Sequence, residues 1–306
     1  MSIRVNGLRI NSATWSVPAV SATVGIFSHG FPYSTTRDKY TFASDVNSSA
    51  AAASASGSGQ SATSNSTVGI FAHGYFSGSS TATRDKYTFA GDVNSAATSS
   101  SFTNSYGSAT GNSTVGIFAL GRSPIATTRE KYTYAGDVNS SAAAASVANA
   151  SGSATGNSTV GIFTLGSAPG ASTTRNKYTY AGDVNSSAAA ASAVSTEGAA
   201  TGNSTVGIFA LGWFSGGPGV LDTRNKYTYA GDVNSSAASA SIPCFRGTAA
   251  GNSTVGIFGL GFNLVDLQSA RDKYTYASDV NSSATSASVT GELGAACSNG
   301  ITGVNA

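Results

Sequence analysis

The apolar positions of this chain gather in short recurring clusters, with no long amphipathic stripe between them. The cluster Thr-Val-Gly-Ile-Phe occurs six times, with its glycine at Gly25, Gly69, Gly116, Gly161, Gly207 and Gly256, so the spacings are 44, 47, 45, 46 and 49 residues. A period of this size marks a repeated supersecondary unit. The cluster is β-branched and aromatic, which predicts a strand. A second block follows in every unit, Arg-x-Lys-Tyr-Thr-(Tyr/Phe)-Ala-(Gly/Ser)-Asp-Val-Asn, beginning at Arg37, Arg84, Arg129, Arg175, Arg224 and Arg271. Within it Tyr40 and Phe42 alternate with Lys39 and Thr41, the two-residue period of a second strand.

A Ser/Ala run comes next, such as Asn139 to Val147. Alanine favours helix, but the run offers no bulky stripe at helical spacing to bury, so it predicts a third strand. The fourth is the small-residue stretch Gly-Ser-Ala-Thr, ending in Gly-Asn at 111–112, 156–157, 202–203 and 251–252, a tight-turn signal. Four antiparallel strands repeated radially predict an all-β chain folded as a β-propeller, with the small residues nearest the axis. The units run approximately 23–62, 63–109, 110–154, 155–200, 201–249 and 250–289 within a single domain, 1–306. Residues 1–22 and 290–306 remain, and Asn299-Gly-Ile-Thr-Gly-Val-Asn-Ala aligns with the Asn-Ser-Thr-Val-Gly-Ile-Phe-Ala of intact copies. The expectation is therefore seven blades, the seventh a composite of this tail and Ile3 to Val17. A ring of six is the alternative.

The order of small-residue strand, Gly-Ile-Phe strand, variable loop and Tyr-Thr-Tyr strand resembles the kelch-type propeller repeat over residues 23 to 289. Ile117, Phe118 and Gly121 resemble the kelch strand that ends in glycine, and Lys131-Tyr132-Thr133-Tyr134 the tyrosine strand after it. The glycine is mostly single here, and no Trp follows the tyrosine strand. The resemblance implies a propeller that serves as an interaction module. Copper-radical oxidases on kelch-like folds need a cysteine-linked tyrosine and histidine ligands, a constellation this chain does not reproduce.

Two segments of the unit differ in every copy. One precedes the Arg block and carries Phe31, Tyr33, Tyr75, Phe76, Trp213, Phe214 and Phe262; the other follows the Ser/Ala run and carries Phe102, Tyr106 and Phe245. In an up-and-down blade, connections alternate between the two ends of the sheet, so both variable segments share one face and the invariant turns share the other. Aromatics beside Ser, Asn and Gly suit stacking on a sugar or contact with a protein. These ten aromatics are the candidate ligand-binding residues. The expected partner is a glycan first and a cell-surface protein second, with self-association as the alternative function.

Composition narrows this further. Charged residues make up 10% of the chain, Gly supplies 37 positions, and Ala accounts for 50, so the core must be built from small side chains. A formal charge of +2 provides no field for nucleic acid or an anionic membrane. No apolar run has the length of a membrane span or a signal peptide, so neither membrane insertion nor signal-directed export is expected. The compartment stays open. Asn-Ser-Ser and Asn-Ser-Thr read as turns rather than glycosylation sites. Cys244 and Cys297 are too few for a disulfide framework, and their pairing across adjacent repeats is open.

The six repeated Arg, Lys and Asp sets read as a ladder within or between blades, with pairs such as Arg175 and Asp183. A reaction centre needs asymmetric acid and base roles, which equivalent copies do not supply. His29 and His73 occupy one equivalent position without an accompanying metal motif. The chain is therefore expected to be non-enzymatic, with no catalytic or metal residues and no cofactor.

Overall fold

The computed structural model describes residues 21–300 except 120, 123, 168, 169, 215, 216, 218 and 260, together with the backbone of Ile3–Val5 and Leu8–Ile10. Among the described residues every regular element is a strand. Six four-stranded antiparallel sheets follow one order: small-residue strand, Val-Gly-Ile-Phe strand, Arg-block strand, and a strand beginning Val-Asn-Ser. The third blade shows the pattern, with Ser108–Gly111, Val115–Ala119, Arg129–Thr133 and Val138–Ala142. Only the first half of the Ser/Ala run is strand. Beyond Ala142 the chain crosses to the fourth blade, where Ala143 N donates to Asp183 Oδ1 at 2.7 Å and Ser146 N to Asn176 Oδ1 at 2.9 Å.

The ring closes with six blades, the alternative of the two expected counts, and no seventh four-stranded sheet is formed among the described residues. Ala295–Ser298 is the innermost strand of the first blade, where it pairs with Val24–Ser28. Asn299 then takes the turn position that Asn65 holds elsewhere, but across the two ends of the chain: its Oδ1 accepts from Thr23 N at 2.8 Å and Val24 N at 2.9 Å. The tail thus supplies the missing sixth small-residue strand, and the Val-Gly-Ile-Phe partner comes from the first repeat. Ile3–Val5 and Leu8–Ile10 pair with each other as a separate hairpin. The remainder of the proposed composite blade, 11–17 and 301–306, lies outside the described residues. Arg271 of the sixth blade bonds directly to Asp38 of the first, at 2.9 Å, which leaves no gap for another sheet.

The core lies between blades. Ile70 and Ala72 of the second blade pack with Ala109, Phe118, Tyr132 and Tyr134 of the third, and the same grouping recurs around the ring. Burial of each Ile or Phe contributes about 1.5–3 kcal/mol. The invariant glycine permits this approach, since a Cβ at Gly116 would stand 2.3 Å from Thr63 Cγ2 of the second blade.

The charged ladder runs between blades. Arg37 Nη2 donates to Asp85 Oδ2 at 2.9 Å and Nη1 to Asn94 Oδ1 at 2.8 Å, with the guanidinium stacked 4.3 Å from the Phe71 centroid. The anticipated pair of Arg175 with Asp183 is replaced: Arg175 donates to Asn225 and Asn234 of the fifth blade, while Asp183 accepts from Lys131 of the third at 3.1 Å and from Tyr178 at 2.6 Å. A pair eight residues apart across one turn would leave neighbouring blades unlinked; the observed pattern links all six.

Cys244 and Cys297 are free and buried, and burial pushes both thiols up to about 12. Thiolate is the reactive form. Iodoacetamide at neutral pH is therefore expected to label neither cysteine in the folded chain and both after denaturation, as mass spectrometry would show. Native labelling of either would contradict this packing.

Candidate functional site

The two faces of the disc differ as the connection parity requires. On the invariant face four of the asparagine turns reach the next blade, with Asn65, Asn112, Asn157 and Asn203 donating from Nδ2 to Ser113, Ser158, Ser204 and Ser253 carbonyls at 3.2–3.3 Å. On the other face the two variable segments meet and pair through short backbone bridges, among them Phe31 with Glu292, Ser58 with Tyr75, Thr196 with Trp213 and Phe245 with Phe262. Twelve diversified connections thus build one surface on a rigid scaffold, the usual place for binding specificity.

At the centre of that surface stands a ring of backbone. Tyr106 N donates to Gly59 O, Ser151 N to Tyr106 O, Glu197 N to Ser151 O, Arg246 N to Glu197 O and Leu293 N to Arg246 O, all within 2.7–2.9 Å, and Gln60 N closes the circle on Leu293 O at 3.2 Å. Each ring residue has a positive φ: Gly59 59°, Tyr106 54°, Ser151 57°, Glu197 56°, Arg246 57° and Leu293 56°. Glycine adopts this conformation freely, whereas a side chain there costs about 1–3 kcal/mol. Five copies bear that cost with five different side chains, around an axial depression of about 370 Å³.

Charge enters at one side of the ring. Arg246 Nε donates to Glu197 Oε2 at 2.9 Å and Nη1 to Glu292 Oε1 at 3.2 Å. Burial alone would lower the Arg246 pKa, but the Glu197 carboxylate raises it overall. Burial raises Tyr106, which lies beneath the Arg122 guanidinium at 4.4 Å from its ring centroid.

The ten aromatics divide. Phe31, Tyr33 and Phe76 are 40%, 45% and 42% exposed and form one edge-to-face patch, with ring centroids 5.7 and 6.2 Å apart. Tyr75, paired to Ser58, is half-buried beside them. Trp213 and Phe262 flank the buried Phe245 at 5.4 and 5.6 Å, so this trio packs upon itself across two blades. Phe214 is half-buried in the short Trp213–Phe214 strand, Phe102 is exposed apart from both groups, and Tyr106 belongs to the axial ring. His29 and His73 meet no common point; each places Nε2 3.1 Å from one carboxylate, Asp38 and Asp85 respectively.

Sequence reasoning did not select Glu197, Arg246 or Glu292. Their signal was present, because each is a charge outside the repeated block, in the variable segment that follows the Ser/Ala run. No helix among the described residues is long and apolar enough to cross a membrane. No protein-family model and no curated protein matches the chain.

Proposed function

We propose that this propeller is a non-enzymatic recognition module, kelch-like in its repeat and lectin- or adhesin-like in use, binding a glycan through the variable face. The exposed Phe31, Tyr33 and Phe76 patch carries this reading. Rings held edge to face leave flat apolar surface for a sugar to stack on, and the loops around them supply hydroxyls and amides without net charge. The repeated Arg, Lys and Asp sets are consumed in equivalent structural pairs.

A broad glycan array tests it. Binding to one glycan class is expected, and Tyr33→Ala with Phe76→Ala should weaken it at least about tenfold. Thermal stability should change little, since both rings are two-fifths exposed or more. An unchanged affinity in the folded double variant would remove the assignment. Trp213 is a poorer probe, because its truncation would also loosen Phe245 and Phe262.

A second reading, self-assembly, is favoured by the outer strands. Val46, Val93, Val138, Val184, Val233 and Val280, one per blade, are 50–54% exposed in the strand at the outer end of each sheet. It requires concentration-dependent growth in light scattering, and a monomer at high concentration would exclude it.

A further inference from the structure

Just outside the axial backbone ring, each blade contributes one equivalent position to the loop face. It is the residue after Gly30, Gly74, Gly121, Gly166, Gly212 and Gly261, and it reads Phe31, Tyr75, Arg122, Ser167, Trp213 and Phe262 in turn. All six are pinned by the same bridge to the residue that precedes a member of the backbone ring. Phe31 N donates to Glu292 O, Tyr75 N to Ser58 O, Arg122 N to Ser105 O, Ser167 N to Ala150 O, Trp213 N to Thr196 O and Phe262 N to Phe245 O, at 2.7–3.0 Å. Four blades therefore place an aromatic ring at this position, one a hydroxyl and one a guanidinium.

Arg122 is also the exception in its charge. Every other described arginine side chain donates to a carboxylate or amide oxygen, and every lysine donates to an aspartate. Arg122 has no such acceptor among the described residues. It is exposed, its guanidinium lies 4.4 Å from the Tyr106 ring centroid, and its Nη2 reaches Ser151 Oγ only at 3.5 Å. Stacking engages the face of the guanidinium and leaves the N–H donors of its edge for another acceptor.

Gly59 allows Tyr106 to take this place. A Cβ on Gly59 would stand 3.1 Å from Tyr106 Cγ and Cδ2, so the one member of the backbone ring without a side chain makes room for the phenol of the next. Burial raises that phenol most; Arg122 and Arg246 lower it, while Glu197 and Tyr33 raise it, so all four act on one hydroxyl. Tyr33 is the middle ring of the exposed patch, 5.7 Å from Phe31 and 6.2 Å from Phe76. The patch, Tyr106 and Arg122 thus follow one another across the first three blades, beside the axial depression that Tyr106 and Ser151 line.

Charge selects the ligand class. Arg246 is already taken up by Glu197 and Glu292, which leaves the Arg122 fork to an anion from outside. That anion should carry a single charge, because Glu197 lies within the same field and would repel a phosphomonoester of about −2 more than a carboxylate or a sulfate ester.

We propose that the variable face binds an acidic oligosaccharide, with one sugar stacked on Phe31, Tyr33 and Phe76 and a neighbouring sugar presenting a monoanionic group, carboxylate or sulfate ester, to the Arg122 guanidinium beside Tyr106. The proposal rests on the glycan reading and narrows it to a charged class. The test is the broad array printed in pairs, each carboxylated glycan beside its methyl ester and each sulfated glycan beside its desulfated form. At least one acidic glycan should bind about tenfold or more tightly than its neutral partner, and Arg122→Ser should bring the two to within about twofold. Whether the preferred form is a carboxylate or a sulfate ester identifies the anion. Tyr33→Ala with Phe76→Ala should weaken both members of a pair alike. Arg122→Ser removes an exposed side chain and introduces the residue that the fourth blade carries as Ser167, so it should fold.

The ratio within a pair separates loss of the anion contact from a general loss of binding. A preference for the acidic form that survives Arg122→Ser overturns the subsite, and so does equal binding within every pair; the glycan reading stands in both cases. A blank array removes both.

Discussion

Asp38→Ala is expected to destabilise the folded chain by about 3–5 kcal/mol, the range seen when one partner of a buried ion pair is removed. Asp38 is fully buried and receives Arg271 Nη2 at 2.9 Å, Ser288 N at 2.9 Å and Ser288 Oγ at 2.5 Å, with His29 Nε2 at 3.1 Å. Burial by itself would raise this carboxyl, but the hydrogen bonds from His29 and Ser288 hold it well below the usual carboxylate range. Alanine would leave a guanidinium that is 3% exposed without its anion, at the junction where the two ends of the chain meet.

The protein contains its own milder control. At the same position the fourth and fifth blades carry Asn176 and Asn225, whose amide oxygens accept from Arg129 and Arg175 at 3.3 Å. Asp38→Asn should therefore cost less than Asp38→Ala. Asn176→Asp should stabilise, because burial has lowered Arg129 to about 10 and a carboxylate would compensate it. Urea denaturation of the three variants checks the order. A loss below about 1 kcal/mol for Asp38→Ala would place this pair with surface ion pairs and contradict its burial.

Strand type was legible because each strand recurs with its own composition. Blade phase was not, since a repeated sequence can be cut at any point. Ala295 to Ser298 read as the start of one more blade, and only its pairing with Val24–Ser28 shows that it completes the first. The loop face followed from counting connections, a topological argument that needs no side-chain detail. The fate of each aromatic did depend on such detail: Trp213, Phe245 and Phe262 are neighbours only because two blades bring three distant segments together. Glu292 was visible as the one carboxylate among the six copies at its position. The burial of its Oε2 without a hydrogen-bond partner among the described residues is a property of the closed ring and cannot be read from its own segment alone.

Above pH 10 the ring should come apart over a narrow interval. Tyr40, Tyr87, Tyr132, Tyr178, Tyr227 and Tyr274 are at most 1% exposed, and each donates its hydroxyl to the Asp five residues on. Burial first, and then that carboxylate, raises every one of these phenols well above its ordinary 10. Tyr134, Tyr180, Tyr229 and Tyr276 are raised by burial as well. Unfolded phenols ionise near pH 10 while the folded ones keep their protons, so stability is complete below that pH and is lost progressively above it.

Each group contributes up to about 1.4 kcal/mol per pH unit. The six buried arginines of the ladder act in the opposite sense, because burial lowers them and their folded forms release protons before the unfolded chain does. If those six offset as many tyrosines, four phenols remain, a loss on the order of 5 kcal/mol per pH unit. That is comparable with the whole stability of a typical domain, about 5–15 kcal/mol. Circular dichroism and tyrosinate absorbance should therefore change together in one cooperative step shortly above pH 10. A gradual rise of tyrosinate absorbance with the dichroism unchanged would mean that the phenols ionise inside the intact ring, and that the Tyr–Asp bonds do not hold the blades.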